Sequence, residues 1–207
     1  MQKDRDKIVL IGYSGHAYVV LDTLKANGRS IVHYLEKEEK KANPYGLKYS
    51  GPEAGREGQE LLGQHPYFIA IGENDLRAKI DQVIKGTLAS AIIHPKAIIA
   101  DLTDIGDGTL VAAGAIVNPL AKIGRCAIIN SGAIVEHECR VGDYAHVAPG
   151  ATLLGNVSIG ERTLIGGNAV VLPGVIIGPD CTVGAGAIVR KNVPAGTIVV
   201  GNPARKL

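Results

Sequence analysis

The sequence predicts two architectures in tandem: a small α/β unit with a parallel sheet, then a three-sided parallel coil of six-residue repeats. Three observations predict it. Apolar runs alternate with helical patterns over roughly residues 1–88. From Ile93 to Val189 every sixth residue is aliphatic, through seventeen consecutive hexads without an insertion. The composition holds 27 glycines, one phenylalanine, no tryptophan and 4% aromatic residues in 207. A core without aromatics is hard to fill in a broad globule and easy to fill in a narrow prism.

The front unit comes first. KIVLIG (7–12) reads as a buried strand of a parallel sheet. GYSGHA (12–17) follows and leads into an apolar-periodic helix, AYVVLDTLKANG. A glycine-containing turn at a helix N-terminus offers free backbone N–H groups to phosphate. The turn lacks the full GxGxxG spacing, so it is a phosphate signal rather than a dinucleotide fingerprint. Gly12, Ser14, Gly15 and His16 are its candidate contacts. IVHYL (31–35) is a second strand, ending at Glu36, where a carboxylate can reach a ribose or base. The charge run EKEEKK (36–41) reads as a solvated loop. PYFIAIGEN (66–74) is a third strand, with a helix running on through Lys85. This alternation defines a Rossmann-like unit over 1–88, with a short linker into the coil at 89–207.

In each hexad the first residue is aliphatic, and the fifth is always Ala, Thr, Cys or Val. Places five, six and one form a strand, with five and one inward and six outward. Places two to four turn a corner; Gly fills the second place seven times, expected to supply unusual φ, and Pro the third place five times. Three hexads close a coil of 18 residues, and coils stack about 4.8 Å apart. Cys139 and Cys181 fall on the small inward place and read as core.

The outward residues sort into three columns. The first holds Ile98, Ile116, Ile134, Thr152, Val170 and Ile188, and the third holds Leu110, Ile128, His146, Leu164 and Thr182. Both are largely apolar. The second, from Asp104 through Lys122 and Arg140 to Pro194, is largely polar. Two apolar faces and one polar face suit a homotrimer, in which the first face of one copy meets the third face of the next. His137 sits in a turn between the first and second faces, and His146 on the third. Ring closure then brings His137 of one copy to the groove lined by His146 of another, a site shared by two chains.

The totals exclude other classes. A formal charge of +2 leaves no footprint for nucleic acid. No run of 18 apolar residues exists, so neither signal peptide nor membrane span is expected. Three scattered cysteines without CxxC spacing suit a reducing, cytoplasmic setting.

The Gly-x-x-Gly-His turn, the IGEN stretch, the coil motifs EHEC and AHVAPG and the ending GNPAR together resemble the hexapeptide-repeat sugar acetyltransferases. That group includes N-acetyltransferases of nucleotide-linked 4-amino sugars and sialic acid O-acetyltransferases. The resemblance runs nearly end to end and implies a left-handed parallel β-helix, against the usual crossover hand. It departs at Tyr13 and over Lys40–Gln64. It implies acetyl-CoA as co-substrate, no metal, and a nucleotide-activated amino sugar as acceptor. His137 matches the family's general base, with Glu138 as its supporting carboxylate, and transfer is direct, without an acyl-enzyme. His146 matches a histidine near the acetyl group, either a donor to its carbonyl or a packed interface residue. Asn130 lies near the reacting centre; Gly155, Gly167, Ala185, Asn202 and Pro203 are implied contacts of the coenzyme. Gly72 and Asn74 join the front turn as implied substrate contacts.

Three other readings compete. One is O-acetylation of sialic acid or another sugar. A second is a γ-type zinc carbonic anhydrase, which needs three converging histidines, whereas only His94, His137 and His146 lie in the coil. The third is a non-catalytic scaffold. The sequence identifies neither the sugar nor the nucleotide.

Overall fold

The computed structural model describes residues 7–207, apart from the side chain of Val32. The chain divides after Ser90 into two compact units. In the front unit, β1 (Lys7–Ile11), β2 (Ser30–Leu35), β3 (Lys48–Tyr49) and β4 (Tyr67–Ile69) form one parallel sheet in the order β3-β2-β1-β4. The helices are α1 (Gly15–Ala26), α2 (Arg56–Gln64) and α3 (Asn74–Val83). Ile8, Val9, Leu10 and Ile11 are buried in succession, which is why KIVLI reads as a continuous apolar run.

Residues 40–64 carry structure that the sequence left unassigned: β3 extends the sheet, and α2 is tied to it through Glu57. Ser50 Oγ donates to Glu57 Oε1 at 2.9 Å, and Lys48 Nζ donates to the same oxygen at 3.2 Å. Ser50 has spent its one proton, so His33 Nδ1, 2.6 Å away, donates to its oxygen. These bonds hold the Glu57 carboxyl below its ordinary range, led by the one from Ser50.

The second unit is the coil. Seventeen two-residue strands run from β5 (Ile92–Ile93) to β21 (Ile188–Val189), each parallel to the strand 18 residues away. They make the three sheets that the three columns require. Inward Val135, Val147, Leu153, Ile165 and Val171 are fully buried, each contributing about 1.5–3 kcal/mol. Inward Thr109 and Thr163 donate from Oγ1 to the carbonyls of Gly124 and Gly178, so neither hydroxyl is stranded. Beyond β21 the register ends, and β22 (Ile198–Val200) turns back on β23 (Arg205–Lys206) as an antiparallel pair.

Two expectations need correction. Positive φ does not fall on the second-place glycines. It falls on the fourth place of every hexad from Leu102 to Gly186, with φ between 48° and 71°. The second-place glycines serve stacking instead: a Cβ on Gly142 would meet Glu161 N at 2.5 Å, and one on Gly160 would meet Pro179 N at 2.3 Å. The third face also differs from an exposed apolar strip. Leu110 and Ile128 are already buried within the single chain, while Ile98 of the first column is 62% exposed. On the first face Ile98 is exposed and Ile116, Ile134, Val170 and Ile188 are half-buried, while on the third Leu164 is half-buried as well.

Candidate active site

In the front unit the sheet order changes direction between β1 and β4, the kind of switch point beside which open parallel sheets bind ligands. Gly12 has φ +88°, and a Cβ there would meet Ile71 Cγ1 at 2.5 Å, so the loops after β1 and β4 touch because this residue has no side chain. A Cβ on Gly72 would stand 3.7 Å from His16 Cβ. The two helix starts differ. The Glu73 carboxylate caps α3 by accepting from the N–H groups of Asp75 and Leu76. Ser14 makes no side-chain cap on α1, and no acidic residue occupies its first turn. An anion is therefore suited to α1, beside Gly15, where nothing crowds a Cβ within 4 Å.

His16 is not a cation in this arrangement. Burial, aided by the charge of Arg77, pushes its pKa down to about 4. The fully buried Arg77 donates to Ile71 O at 2.9 Å and to Asn74 Oδ1 at 2.8 Å, tying the start of α3 to the end of β4. Asn74 is thus buried and occupied with the fold. The sequence reading missed Arg77; a lone arginine three residues after Asn74 was its only mark.

Glu36 also differs from the solvated loop expected. Its Oε2 accepts from the N–H of Tyr13 at 3.2 Å and lies 3.4 Å from Lys40 Nζ, while Oε1 accepts from the N–H of Lys37. Tyr13, where the chain departs from the resembled motif, is buried and stacked on Tyr34 with centroids 4.4 Å apart. Its hydroxyl donates to Asn43 Oδ1 at 2.7 Å and accepts from the N–H of Tyr45. The segment after β2 is therefore pinned over the β1–α1 turn. The excess of tyrosine before residue 50 was the available signal.

The coil residues fall into two groups on opposite edges of the first face. On the edge it shares with the second face, His137 Nδ1 lies 3.1 Å from Glu138 Oε2, and both side chains are more than half exposed. Gly155 lies one coil further on, and a Cβ there would stand 2.6 Å from His137 Cε1 and Nε2. Gly155 therefore seats the imidazole. On the edge shared with the third face, Asn130 Nδ2 lies 3.0 Å from His146 Nε2, and Gly167 and Ala185 follow in later coils. Of the implied coenzyme contacts, Gly155 thus lies on one corner of the chain, and Gly167 and Ala185 on another. Cys139, beside Glu138, is buried, and that burial pushes its thiol up to about 11, the state of a core residue.

Asn202 and Pro203 form the turn between β22 and β23, where Ala204 N–H donates to Ile188 O at 2.9 Å. A cavity of about 830 Å³ at this end is lined by Val189, Arg190, Lys191, Val199, Arg205 and Lys206 among others. His94 accepts from the N–H of Lys96 at 3.0 Å in the first coil. Nearly three coils, roughly 14 Å along the axis, separate it from His146. Among the described residues no group of three or more His, Cys, Asp or Glu side chains is placed to hold a metal, and no helix is long and apolar enough to cross a membrane.

Comparison with known proteins follows the same division. The PglD N-terminal domain model matches residues 7–84, and the bacterial transferase hexapeptide model matches 120–155 and 156–191. Perosamine N-acetyltransferase from Caulobacter crescentus, solved as a variant with CoA and GDP-perosamine, is 36% identical. The match covers 97% of this chain and 96% of that one, with a TM-score of 0.91. The acetyltransferase domain of PglB from Neisseria gonorrhoeae, solved with acetyl coenzyme A, is 32% identical over 98% and 100% of the two chains, with a TM-score of 0.90. WeeI from Acinetobacter baumannii is 28% identical over 97% and 99%, with a TM-score of 0.84. No curated protein matches the chain. A PglD-type front domain joined to a left-handed β-helix of hexapeptide repeats, at this identity over the whole length, means that the chain belongs to the hexapeptide-repeat sugar acetyltransferase family.

Proposed function

We propose that the protein is an acetyl-CoA-dependent N-acetyltransferase acting on the amine of a nucleotide-linked 4-amino sugar. The observation that carries this reading is the His137–Glu138 pair seated on Gly155. With Nδ1–H given to the carboxylate, Nε2 keeps a lone pair for a proton. The amine nitrogen attacks the thioester carbonyl carbon as His137 Nε2 takes its proton. The tetrahedral adduct collapses with cleavage of the C–S bond, and the imidazolium returns the proton to the thiolate. The thioester is already activated, so no acyl-enzyme is required.

The uncapped start of α1 suits the acceptor's diphosphate, and the similarity to a protein solved with GDP-perosamine supports that class. The four cations lining the terminal cavity suit the phosphates of CoA, and the similarity to a domain solved with acetyl coenzyme A supports that donor. Exposed Ile98 and the half-buried aliphatic residues of the first face, with half-buried Leu164 on the third, support a homotrimer whose neighbouring copies bring His137 and His146 to one groove.

The test is a thiol-release assay with acetyl-CoA across a panel of nucleotide-linked amino sugars and sialic acids. Release with a nucleotide amino sugar, and a product blocked at its amine, is the expected result. Release only with sialic acids would move the reaction to a hydroxyl. Binding of acetyl-CoA without release from any acceptor would make the coil a scaffold.

A further inference from the structure

We propose that Asn130 is a positioning residue that fixes the proton of His146 on Nδ1, so that this imidazole acts as a hydrogen-bond donor through that nitrogen. The role in acetyl transfer rests on the reading above; the proton placement does not. The argument starts from the carboxamide. The backbone N–H of Ser131 donates to Asn130 Oδ1 at 2.8 Å. A backbone N–H has no lone pair, so the atom facing it must be the oxygen, and the amide cannot be turned the other way. Asn130 Nδ2 then faces His146 Nε2 at 3.0 Å. An NH₂ group only donates, so Nε2 is the acceptor and the ring proton resides on Nδ1.

The amide is held from several sides. Asn130 is only 9% exposed, and its own N–H donates to Val147 O at 2.9 Å, in the ladder that joins its coil to that of His146. Protonating Nε2 would set two donors against each other, and turning the amide to relieve them would set its NH₂ against Ser131 N–H. Both hydrogen bonds would be lost together.

His137 and His146 thus carry the same tautomer and present opposite groups. Glu138 takes the N–H of His137, so its Nε2 carries a lone pair; Asn130 takes the lone pair of His146, so its proton is placed on Nδ1. A lone pair suits the amine proton. A neutral N–H suits the thioester oxygen as negative charge develops on it, where a donor is worth far more than in water.

The test is ¹⁵N NMR of ring-labelled histidines in the full-length protein at neutral pH, with His146 assigned through His146→Gln, alongside steady-state kinetics. In the wild type, His146 Nδ1 is expected protonated and Nε2 bare. Asn130→Asp keeps the bond from Ser131 but presents a carboxylate oxygen to Nε2, so a proton is expected on Nε2. With it, kcat should fall on the order of 100-fold, the scale of a lost oxyanion donor, with the KM for acetyl-CoA nearly unchanged. Asn130→Ala should give averaged ring signals and a similar fall. A wild-type ring protonated on Nε2, an Asp variant with the wild-type ring spectrum, or a wild-type kcat in that variant overturns the inference. Expected spectra without acetyl transfer to any acceptor would support the proton placement and defeat the enzymatic reading instead.

Discussion

The imidazole of His137 rests on Gly155 so closely that a single methyl group at 155 would stand 2.6 Å from two of its ring atoms. Gly155→Ala must therefore displace the ring, and with it Nε2. Misplacing a reacting group by about 1 Å costs roughly 100-fold, so kcat should fall by that order while the KM for acetyl-CoA holds. Steady-state kinetics check this. A raised KM with unchanged kcat would instead make Gly155 a wall of the coenzyme groove.

His137→Ala should lower kcat by roughly 10²–10⁴-fold with the assembly intact, as expected for loss of a general base. Glu138 carries a second signature. It adopts φ 62°, a region that costs a residue with a side chain about 1–2 kcal/mol. Glu138→Gly relieves that strain and removes the carboxylate, so the protein should melt no lower than the wild type and yet turn over more slowly. Calorimetry and the thiol-release assay, run together, test both halves.

The two kinds of coil glycine should respond differently to a methyl group. Gly132 has φ +65° and open space around it, so Gly132→Ala should cost about 1–2 kcal/mol in backbone strain alone. In Gly142→Ala the new carbon meets Glu161 N at 2.5 Å, and neither coil can give without breaking the ladder. Its loss should be the larger, about 3 kcal/mol or more. Thermal melts followed by circular dichroism give the order, and a reversal would mean that stacking is looser than described.

Burial gives the front unit an acid-sensitive element. The folded pKa of His16, about 4, lies below its ordinary value near 6.5. Above about pH 6.5 neither state binds the proton and there is no penalty. As pH falls from there toward 4 the unfolded chain takes up a proton that the folded one refuses, so stability drops, by about 3 kcal/mol once pH passes 4. Six of the seven tyrosines lie in this unit and the chain has no tryptophan, so tyrosine fluorescence reports on it. His16→Gln should flatten the slope of stability between pH 6.5 and 4; an unchanged slope would assign it to other groups.

The proposed ring makes a further prediction. Ile134→Asp on the first face, or Leu164→Asp on the third, should dissociate the assembly and abolish transfer together. Analytical ultracentrifugation beside the assay checks it, and a fully active monomer of either variant would refute a site shared between copies.

The coil was legible because its physics is one-dimensional. A strict period, a small inward place and alternating outward residues fix which side chains share a face, and His137, Glu138 and His146 could be placed by counting. What counting missed depends on contact between successive coils. The second-place glycines look like turn residues in the sequence, and only the approach of the next backbone shows that they are spacers. Gly155 likewise gives no sign that it seats a ring 18 residues earlier. In the front unit the alternation of strands and helices was readable, but Glu36, His16 and Asn74 were read as reaching toward a ligand. Each is also engaged by the fold, through the N–H of Tyr13, through burial beside Arg77 and through the Arg77 guanidinium, which the sequence did not reveal. Long-range partners of that kind leave no periodicity behind them.

The unbroken register from Ile93 to Val189 also governs how such a chain can change in length. Adding one whole coil above or below EHEC would shift the ends along the axis and leave every face pointing as before. Adding a single hexad would rotate everything beyond it by a third of a turn and send the histidines toward the wrong neighbours. Growth and shrinkage are therefore quantised, and distance along the axis can be tuned between homologues without disturbing the angular placement on which the chemistry depends.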